Sequence, residues 1–246
     1  MRSVLALAVA CLALSPIGQT KAAMAASAKS GYVLALNWQP AFCETRPRKP
    51  ECRSQTANRY DATHFTLHGL WPQPNDKFYC NVGRGDRRDD KSGRWWKLPR
   101  VRLDPKVRAE LDRVMPGTAS QLERHEWIKH GTCSGKSQQD YFSAALAMAG
   151  AVNASAVRVL FASHIGKELT AEQIRAAFDK AFGAGAGERV RISCFRDRGK
   201  RMIGGVTLGL AGPIGPDVPL RDLMAASAPT RHAGCPRGIV DAAGIQ

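Results

Sequence analysis

The chain has 246 residues, of which 44% are hydrophobic and 23% charged, a composition that excludes an intrinsically disordered protein and is typical of a folded one. Lysine and arginine outnumber aspartate and glutamate by 36 to 21, which gives a formal net charge of +15. Such a charge favours polyanionic partners, namely nucleic acid, acidic glycans or anionic lipid, and does not choose among them.

The N-terminus has the pattern of a secretory signal peptide. Arg2 precedes an apolar run over residues 4–14, Pro16 ends the run, and a sequence rich in alanine and serine follows. The run is too short to cross a bilayer, which takes about 20 residues, and no other segment predicts a membrane span. We therefore predict a signal peptide over residues 1–25, with cleavage after Ala25 or Ala28. One domain would follow over residues 29–246 in an exported protein, periplasmic or secreted.

The cysteines fit this expectation of export. Cleavage removes Cys11 and leaves six others: Cys43, Cys52, Cys80, Cys133, Cys194 and Cys235. An even number in an exported chain indicates three disulfides, whose pairing the sequence leaves open. No two of the six are spaced as C-x-x-C, so a structural zinc site is disfavoured.

Local patterns predict strands at both ends of the domain and helices between them. The first strand is Gly31–Asn37, and a second covers residues 64–71 and ends at Pro72. Residues 75–102 read as a polar, irregular and basic segment. Four helices follow, over Pro105–Val114, residues 120–130 and 138–152, and Ala171–Phe182, and then paired strands over residues 188–195 and 202–210. This order predicts an α+β fold with helices packed on an antiparallel β-sheet.

Two short segments hold most of the chemically active side chains. They are residues 65–72, Phe-Thr-Leu-His-Gly-Leu-Trp-Pro, and residues 125–133, His-Glu-Trp-Ile-Lys-His-Gly-Thr-Cys. At about 100° per helical residue, four polar groups of the second segment fall on one arc. They are His125, Glu126, Lys129 and His130. Because such a face is costly to bury in a core, we expect it to line a cleft.

A zinc hydrolase is the first alternative, because His125 and Glu126 begin like the H-E-x-x-H motif. That motif needs a second histidine four residues on, so that two imidazoles reach one ion. Here that position is Lys129, a cation, and the next histidine is His130. The sequence therefore disfavours a metal site and predicts no cofactor.

The remaining chemistry is acid–base catalysis on an anion. Imidazole titrates near pH 6.5, so a pair of histidines can supply one base and one acid. RNA suits such a pair, because its 2′-hydroxyl attacks the adjacent phosphorus once a base takes its proton, and the 5′-oxygen leaves once an acid protonates it. Lysine and a further histidine can stabilise the extra charge on phosphorus.

Both segments resemble the active-site segments of the ribonuclease T2 family. Residues 32–43, Tyr-Val-Leu-Ala-Leu-Asn-Trp-Gln-Pro-Ala-Phe-Cys, also resemble the family's first strand, especially in its bacterial periplasmic members. The resemblance extends over most of the chain, from Gly31 to Cys235. It implies the family's α+β single domain and a metal-independent endoribonuclease that cleaves single-stranded RNA with low base specificity. The products would be 2′,3′-cyclic phosphates that are slowly hydrolysed to 3′-phosphates.

The resemblance also implies a role for each residue of the two segments. His130 would be the general base at the 2′-hydroxyl and His68 the general acid at the 5′-oxygen. His125 would hold the scissile phosphate, while Glu126 and Lys129 would stabilise the transition state. Asn37 and Trp71 are candidate substrate-binding residues. The implied disulfides are Cys43–Cys52, Cys80–Cys133 and Cys194–Cys235.

Two questions stay open on sequence alone. The expected partner is an RNA substrate, with no stable protein partner and a monomeric chain, but the charge also fits a non-catalytic protein that binds RNA, glycans or an envelope component. The aromatic residues in and beside the basic segment, Phe78, Tyr79, Trp95 and Trp96, could stack on bases or pack against the protein.

Overall fold

The computed structural model describes residues 31–74 and 76–244. The predicted signal peptide and its cleavage sites lie outside this part of the chain. The strands are Gly31–Asn37 (β1), Thr66–Pro72 (β2), Glu168–Thr170 (β3), Val190–Asp197 (β4), Lys200–Ala211 (β5) and Arg237–Ile239 (β6). The α-helices are Gln39–Thr45 (α1), Pro50–Arg53 (α2), Arg84–Lys91 (α3), Pro105–Val114 (α4), Leu122–Lys129 (α5), Gln138–Asn153 (α6), Ala156–Ser163 (α7), Ala171–Phe182 (α8) and Leu220–Ala225 (α9).

The strands form one mixed sheet in the order β2-β1-β5-β6-β3, with β4 on the other edge of β5. β1 lies antiparallel between β2 and β5, so that Leu34 faces Leu70 on one side and Leu208 on the other. β4 and β5 form the predicted antiparallel pair. The α+β prediction is confirmed, but the sheet is not purely antiparallel, because β6 pairs with β5 in parallel through Met202 and Ile239.

Helix α6 fixes the strand that carries the first active-site segment. It packs against β1 and β2 and buries Tyr141, Phe142 and Met148 in the core. The Tyr141 hydroxyl donates to the backbone carbonyl of Leu70 at 2.6 Å. Asn153, its last residue, accepts from the backbone N–H of Phe65 and donates to its carbonyl, both at 2.9 Å. These hydrogen bonds hold the chain on both sides of His68, at Phe65 and at Leu70, so the position of His68 is well defined.

Several helices and strands have the bounds that the sequence predicts. β1, α4 and α8 begin and end where the sequence places them, and α8 begins with a capping box between Thr170 and Gln173. The prediction for residues 75–102 is wrong in part, because this segment contains α3 and a 3-10 turn over Trp95–Lys97. α3 has no apolar side chain to signal a buried face, and tertiary hydrogen bonds stabilise it instead.

The three disulfides join the cysteines that the resemblance pairs. Cys80–Cys133 connects the loop after β2 to the turn after α5, Cys43–Cys52 joins α1 to α2, and Cys194–Cys235 joins β4 to the segment before β6. Within the described ranges, no single helix is long and apolar enough to cross a membrane. The bent pair α6 and α7 passes that test of length and composition only when the two are joined across their 60° bend.

Candidate active site

The two predicted segments meet where β2 packs against α5. His68 lies in the middle of β2, and His125, Glu126 and Lys129 lie on α5, with His130 as the residue that ends the helix. The Cys80–Cys133 disulfide and a hydrogen bond from the Tyr79 N–H to the Lys129 carbonyl, at 2.9 Å, hold the end of α5 against the loop that follows β2. The fold therefore brings together all five predicted catalytic residues.

A buried carboxylate, that of Glu126, lies at the centre of the site. The residue is 1% exposed, and its Oε2 accepts a hydrogen bond from the Trp71 indole N–H at 2.8 Å. Its Oε1 lies 3.4 Å from His68 Nε2 and 3.8 Å from His125 Nε2. Burial alone would raise the pKa of Glu126, but the hydrogen bond with His68 and the charges of the three neighbouring histidines outweigh it, so the pKa lies below its ordinary value.

Gly69 makes room for this carboxylate. A Cβ at this position would lie 2.6 Å from the Glu126 carboxyl carbon and 2.7 Å from the Trp71 indole nitrogen. Any side chain would therefore displace the pair. The glycine after His68 is thus a steric requirement of the site.

His130 lies in an apolar environment. It is 5% exposed, and its ring lies 5.5 Å from the Trp71 ring and 5.5 Å from the Phe78 ring, measured between centroids. Burial lowers the pKa of His130 to about 4; Glu126 opposes this shift, and the charges of Lys129, His125 and His68 add to it. His130 is therefore a neutral imidazole at neutral pH. Its Nδ1 is fully buried, which leaves Nε2 as the nitrogen that a substrate could reach.

His125 lies in a polar environment instead. Its Nδ1 lies 2.7 Å from Oδ1 of Asp90, a carboxylate on α3 that is 3% exposed, and its ring stacks on Trp95 at 4.6 Å between centroids. The other Asp90 oxygen accepts from the Tyr79 hydroxyl at 2.8 Å. Because the Asp90 carboxylate accepts the Nδ1 proton, the other ring nitrogen of His125, Nε2, faces Glu126, whose Oε1 lies 3.8 Å away.

Sequence reasoning missed Asp90. It lies in a run of mixed charges, Arg-Gly-Asp-Arg-Arg-Asp-Asp-Lys, in which the sequence does not distinguish it from Asp86 or from the neighbouring Asp89. Only its burial against Tyr79 and His125 distinguishes it. The two aromatic residues that flank this charged segment, Tyr79 and Trp95, were the available signal that it packs against the rest of the protein.

Comparison with known proteins decides the family. The model of the ribonuclease T2 family matches residues 30–214. The chain belongs to the ribonuclease T2 family and is an endoribonuclease. Ribonuclease I of Escherichia coli (strain K12) is 30% identical over 184 residues, which cover 66% of this chain and 69% of that protein. A ribonuclease of Aeromonas hydrophila is 35% identical over 111 residues, 45% of this chain and 40% of that one.

Solved structures of the family share the fold. Ribonuclease MC1 from the seeds of bitter gourd has a TM-score of 0.56 at 20% identity, with 85% of this chain and 99% of that chain covered. A mutant of the same enzyme, solved in complex with 5′-GMP, has a TM-score of 0.55. At this identity the likeness establishes the architecture of this ribonuclease and nothing finer.

A cavity of about 370 Å³ opens beside the candidate catalytic groups of this ribonuclease. We call it the inner cavity. The residues that line it include His68, His125, Trp95, Asn37 and Phe42. The Asn37 amide nitrogen lies 3.2 Å from His68 Nδ1, so the predicted substrate-binding residue Asn37 both lines the cavity and contacts the His68 imidazole. Trp71, the other predicted substrate-binding residue, donates a hydrogen bond to Glu126 and packs edge-on against His68, with 5.6 Å between ring centroids.

Proposed function

We propose that this protein cleaves single-stranded RNA without a metal ion, by attack of the 2′-hydroxyl on the adjacent phosphorus. The products are 2′,3′-cyclic phosphates, which a slower reaction with water opens to 3′-phosphates. The observation that carries the proposal is the convergence of three imidazoles on one buried carboxylate, two of them within 3.8 Å of Glu126 Oε1. Such a group of histidines supplies a base, an acid and a phosphate-binding group at one point.

The surroundings of the histidines support different roles for them. A general base must be neutral, and the low pKa of His130 keeps it so above about pH 4. In the first step His130 takes the 2′-hydroxyl proton, the 2′-oxygen bonds to phosphorus, and the bond from phosphorus to the 5′-oxygen breaks. His68, on the other side of Glu126, donates its proton to the departing 5′-oxygen. Water then replaces that oxygen in the second step, with the two histidines in exchanged roles.

The remaining groups hold the phosphate and the imidazoles. Lys129 lies beside His130, with Nζ 5.5 Å from the centre of the Phe78 ring, where its charge can meet the phosphate. His125, oriented by Asp90, offers Nε2 to the same group. Glu126 is too deeply buried to touch the substrate, so we propose that it stabilises the transition state through His68 and His125.

The inner cavity supports low base specificity. Four aromatic and aliphatic side chains line it, Phe42, Leu67, Trp95 and Leu122, together with polar ones, several of which already hydrogen-bond within the protein, among them Gln39 with Thr66 and Ser120 with Glu51. Apolar and aromatic faces stack on any base, whereas hydrogen-bonding groups read base identity. Asn37 is a polar group there, and its amide is already directed at His68.

We further propose that the domain begins near residue 29 of an exported, monomeric protein. Three disulfides within the described residues support export, because such bonds persist in oxidising compartments. The leader pattern of residues 1–25 supports it independently.

The test is incubation of the purified, oxidised protein with a defined RNA and with the same sequence as DNA, in EDTA at mildly acidic to neutral pH. Mass spectrometry then identifies the fragment ends. We expect RNA to be cut to fragments with 2′,3′-cyclic phosphate ends and DNA to remain intact. Activity that EDTA abolishes, or products with 5′-phosphates, would refute the mechanism. RNA that is bound but never shortened would favour the binding protein that the charge also allows.

A further inference from the structure

A second cleft, outside the catalytic machinery, adjoins the inner cavity. This outer cleft has a volume of about 960 Å³ and shares four wall residues with the inner cavity. They are Arg46, Lys49, Trp95 and Ser120. The two spaces therefore lie side by side, so an RNA strand bound in the inner cavity can extend towards the outer cleft.

One wall of the outer cleft is a positively charged loop. Residues 46–49, Arg-Pro-Arg-Lys, connect α1 to α2 and present three cations; we call them the cationic loop. The Cys43–Cys52 disulfide closes this loop, and the Lys49 N–H donates to the Arg46 carbonyl at 3.0 Å. Among the described residues that line the outer cleft there is no carboxylate. Such a wall favours a phosphate group.

Two tryptophans also line the outer cleft. Trp96 is 61% exposed, an unusual state for a large apolar side chain. Its backbone carbonyl accepts a hydrogen bond from Arg124 at 3.1 Å, so the turn that presents the ring is held in place. Trp95 beside it faces both cavities, with Lys49 Nζ 5.3 Å from its ring centre and His125 stacked on it. Exposed aromatic rings among cations are typical of binding sites for single-stranded nucleic acid.

The position of the outer cleft gives the direction of the strand. The inner cavity is lined by His68, the proposed acid at the 5′-oxygen, whereas His130 packs against Phe78 and Trp71. The nucleoside that leaves with the 5′-oxygen therefore occupies the inner cavity, and the next nucleotide of the same strand lies beyond it.

We propose that the outer cleft binds the second nucleotide downstream of the scissile phosphate, with its base against Trp96 and its phosphate against the cationic loop. The proposal rests on the proposed function for its direction. It makes the enzyme sensitive to the length of single-stranded RNA on the 3′ side of the cut, and it assigns Arg48 and Trp96, which contact only the outer cleft, to substrate binding.

The test compares three substrates that each contain a single ribose and hence a single cleavable bond. The first is ribouridine followed by deoxyadenosine; the second carries one more deoxyadenosine at its 3′ end, and the third carries it at its 5′ end. We expect the 3′ extension to raise kcat/KM about tenfold, mainly through KM, because stacking on an aromatic ring and one phosphate contact are added. The 5′ extension should change kcat/KM by less than about threefold.

Variants in the outer cleft should reduce the gain that the 3′ extension brings. In Trp96→Ala the ratio of kcat/KM for the 3′-extended substrate to kcat/KM for the dinucleotide should fall to about two. Trp96→Phe should restore most of this ratio. The added phosphate should steepen the dependence of log(kcat/KM) on log salt by about 0.7, and Arg48→Ala should remove that increment. Arg221→Ala, an exposed arginine on α9, is the control with the same change of charge and should retain the full gain.

Equal gains from the 3′ and 5′ extensions, or a gain that survives in both Trp96→Ala and Arg48→Ala, would overturn the proposal. If the dinucleotide is not cleaved at all, the proposed function is at fault, and binding decides the question. Calorimetry with uncleavable 2′-O-methyl versions should then show the 3′-extended trinucleotide binding about tenfold more tightly than the dinucleotide. Equal affinities would overturn the proposal.

Discussion

The middle and the C-terminal end of α5 place imidazoles in opposite environments. His130 lies among aromatic rings and loses its charge to burial, whereas His125 contacts the buried carboxylate of Asp90 and stacks on Trp95. Both face the same Glu126, so their difference comes from the segments that cover them, the loop after β2 for His130 and α3 with the turn after it for His125. Chemically identical side chains, five residues apart, thus become suited to different tasks.

The largest expected effect comes from removing the two proton-transfer groups. His130→Phe or His68→Phe should lower kcat by about 10²–10⁴-fold, because each removes one proton transfer from the transition state. His125→Phe should act more on KM if this imidazole holds the phosphate. Steady-state kinetics on a defined RNA measures both constants. His64→Phe is the matched control: His64 stacks on Tyr60 at 4.2 Å, away from the site, and kcat should stay within about threefold of the original.

A variant that retains the original kcat would remove that histidine from the mechanism. Circular dichroism and a count of free thiols establish that each variant is folded and that its disulfides are formed.

The second largest effect is steric and disturbs the surroundings of both His130 and His125. Gly69→Ala should displace Glu126 and Trp71, because the new Cβ would meet the carboxyl group. We expect a loss of about 1–3 kcal/mol in the free energy of unfolding and a loss of about 10–100-fold in kcat. Urea denaturation and kinetics measure the two effects. Gly85→Ala, where a Cβ would meet nothing within 4 Å, is the control; equal behaviour of the two variants would contradict the steric argument.

Asp90→Asn separates the two environments, because it removes a charge that contacts His125 and leaves the rings beside His130, those of Trp71 and Phe78, unchanged. The amide can still accept one hydrogen bond but no longer carries the charge that accepts both the His125 and Tyr79 protons. We expect KM to rise about tenfold with a smaller change in kcat. Asp89→Asn is the matched control, because its carboxylate pairs with Arg94 at 2.6 Å on the outer side of α3. Equal kinetics of the two variants would show that Asp90 has only a structural role.

The smallest effect is a shift of the pH profile from Lys129→Gln. A base acts when deprotonated, so the rate should fall as the pH drops through the His130 pKa of about 4. The Lys129 charge lowers this pKa, and removing it should move the acid limb of kcat/KM about 0.5 pH unit higher. A profile between pH 3 and pH 8 measures the shift. An acid limb that stays in place would show that another group sets it.

Much of the site followed from the sequence because its chemistry is local. His68, Gly69 and Trp71 occupy one strand, and His125, Glu126, Lys129 and His130 occupy little more than one helical turn. Regular geometry therefore places each set on one face without knowledge of the rest of the chain. Elements with strong end signals, such as α8 with its capping box, had predictable bounds for the same reason.

The contacts that the sequence did not indicate join segments that are distant along the chain. Asp90 and His125 are 35 positions apart, Asn37 and His68 are 31 apart, and neither pair has a spacing that any helix or strand imposes. The parallel pairing of β6 with β5 also joins segments that are distant along the chain. So does the outer cleft, which forms between the cationic loop and Trp96.

The sequence by itself determined the candidate site residues, the family and the bounds of such elements as β1, α4 and α8, because these follow from short-range spacing and from side-chain chemistry. Only the tertiary structure decided which carboxylate of α3 is buried, which histidine is kept neutral and which tryptophan faces solvent. Burial and electrostatic surroundings are properties of the assembled chain, since they depend on what the fold brings into contact.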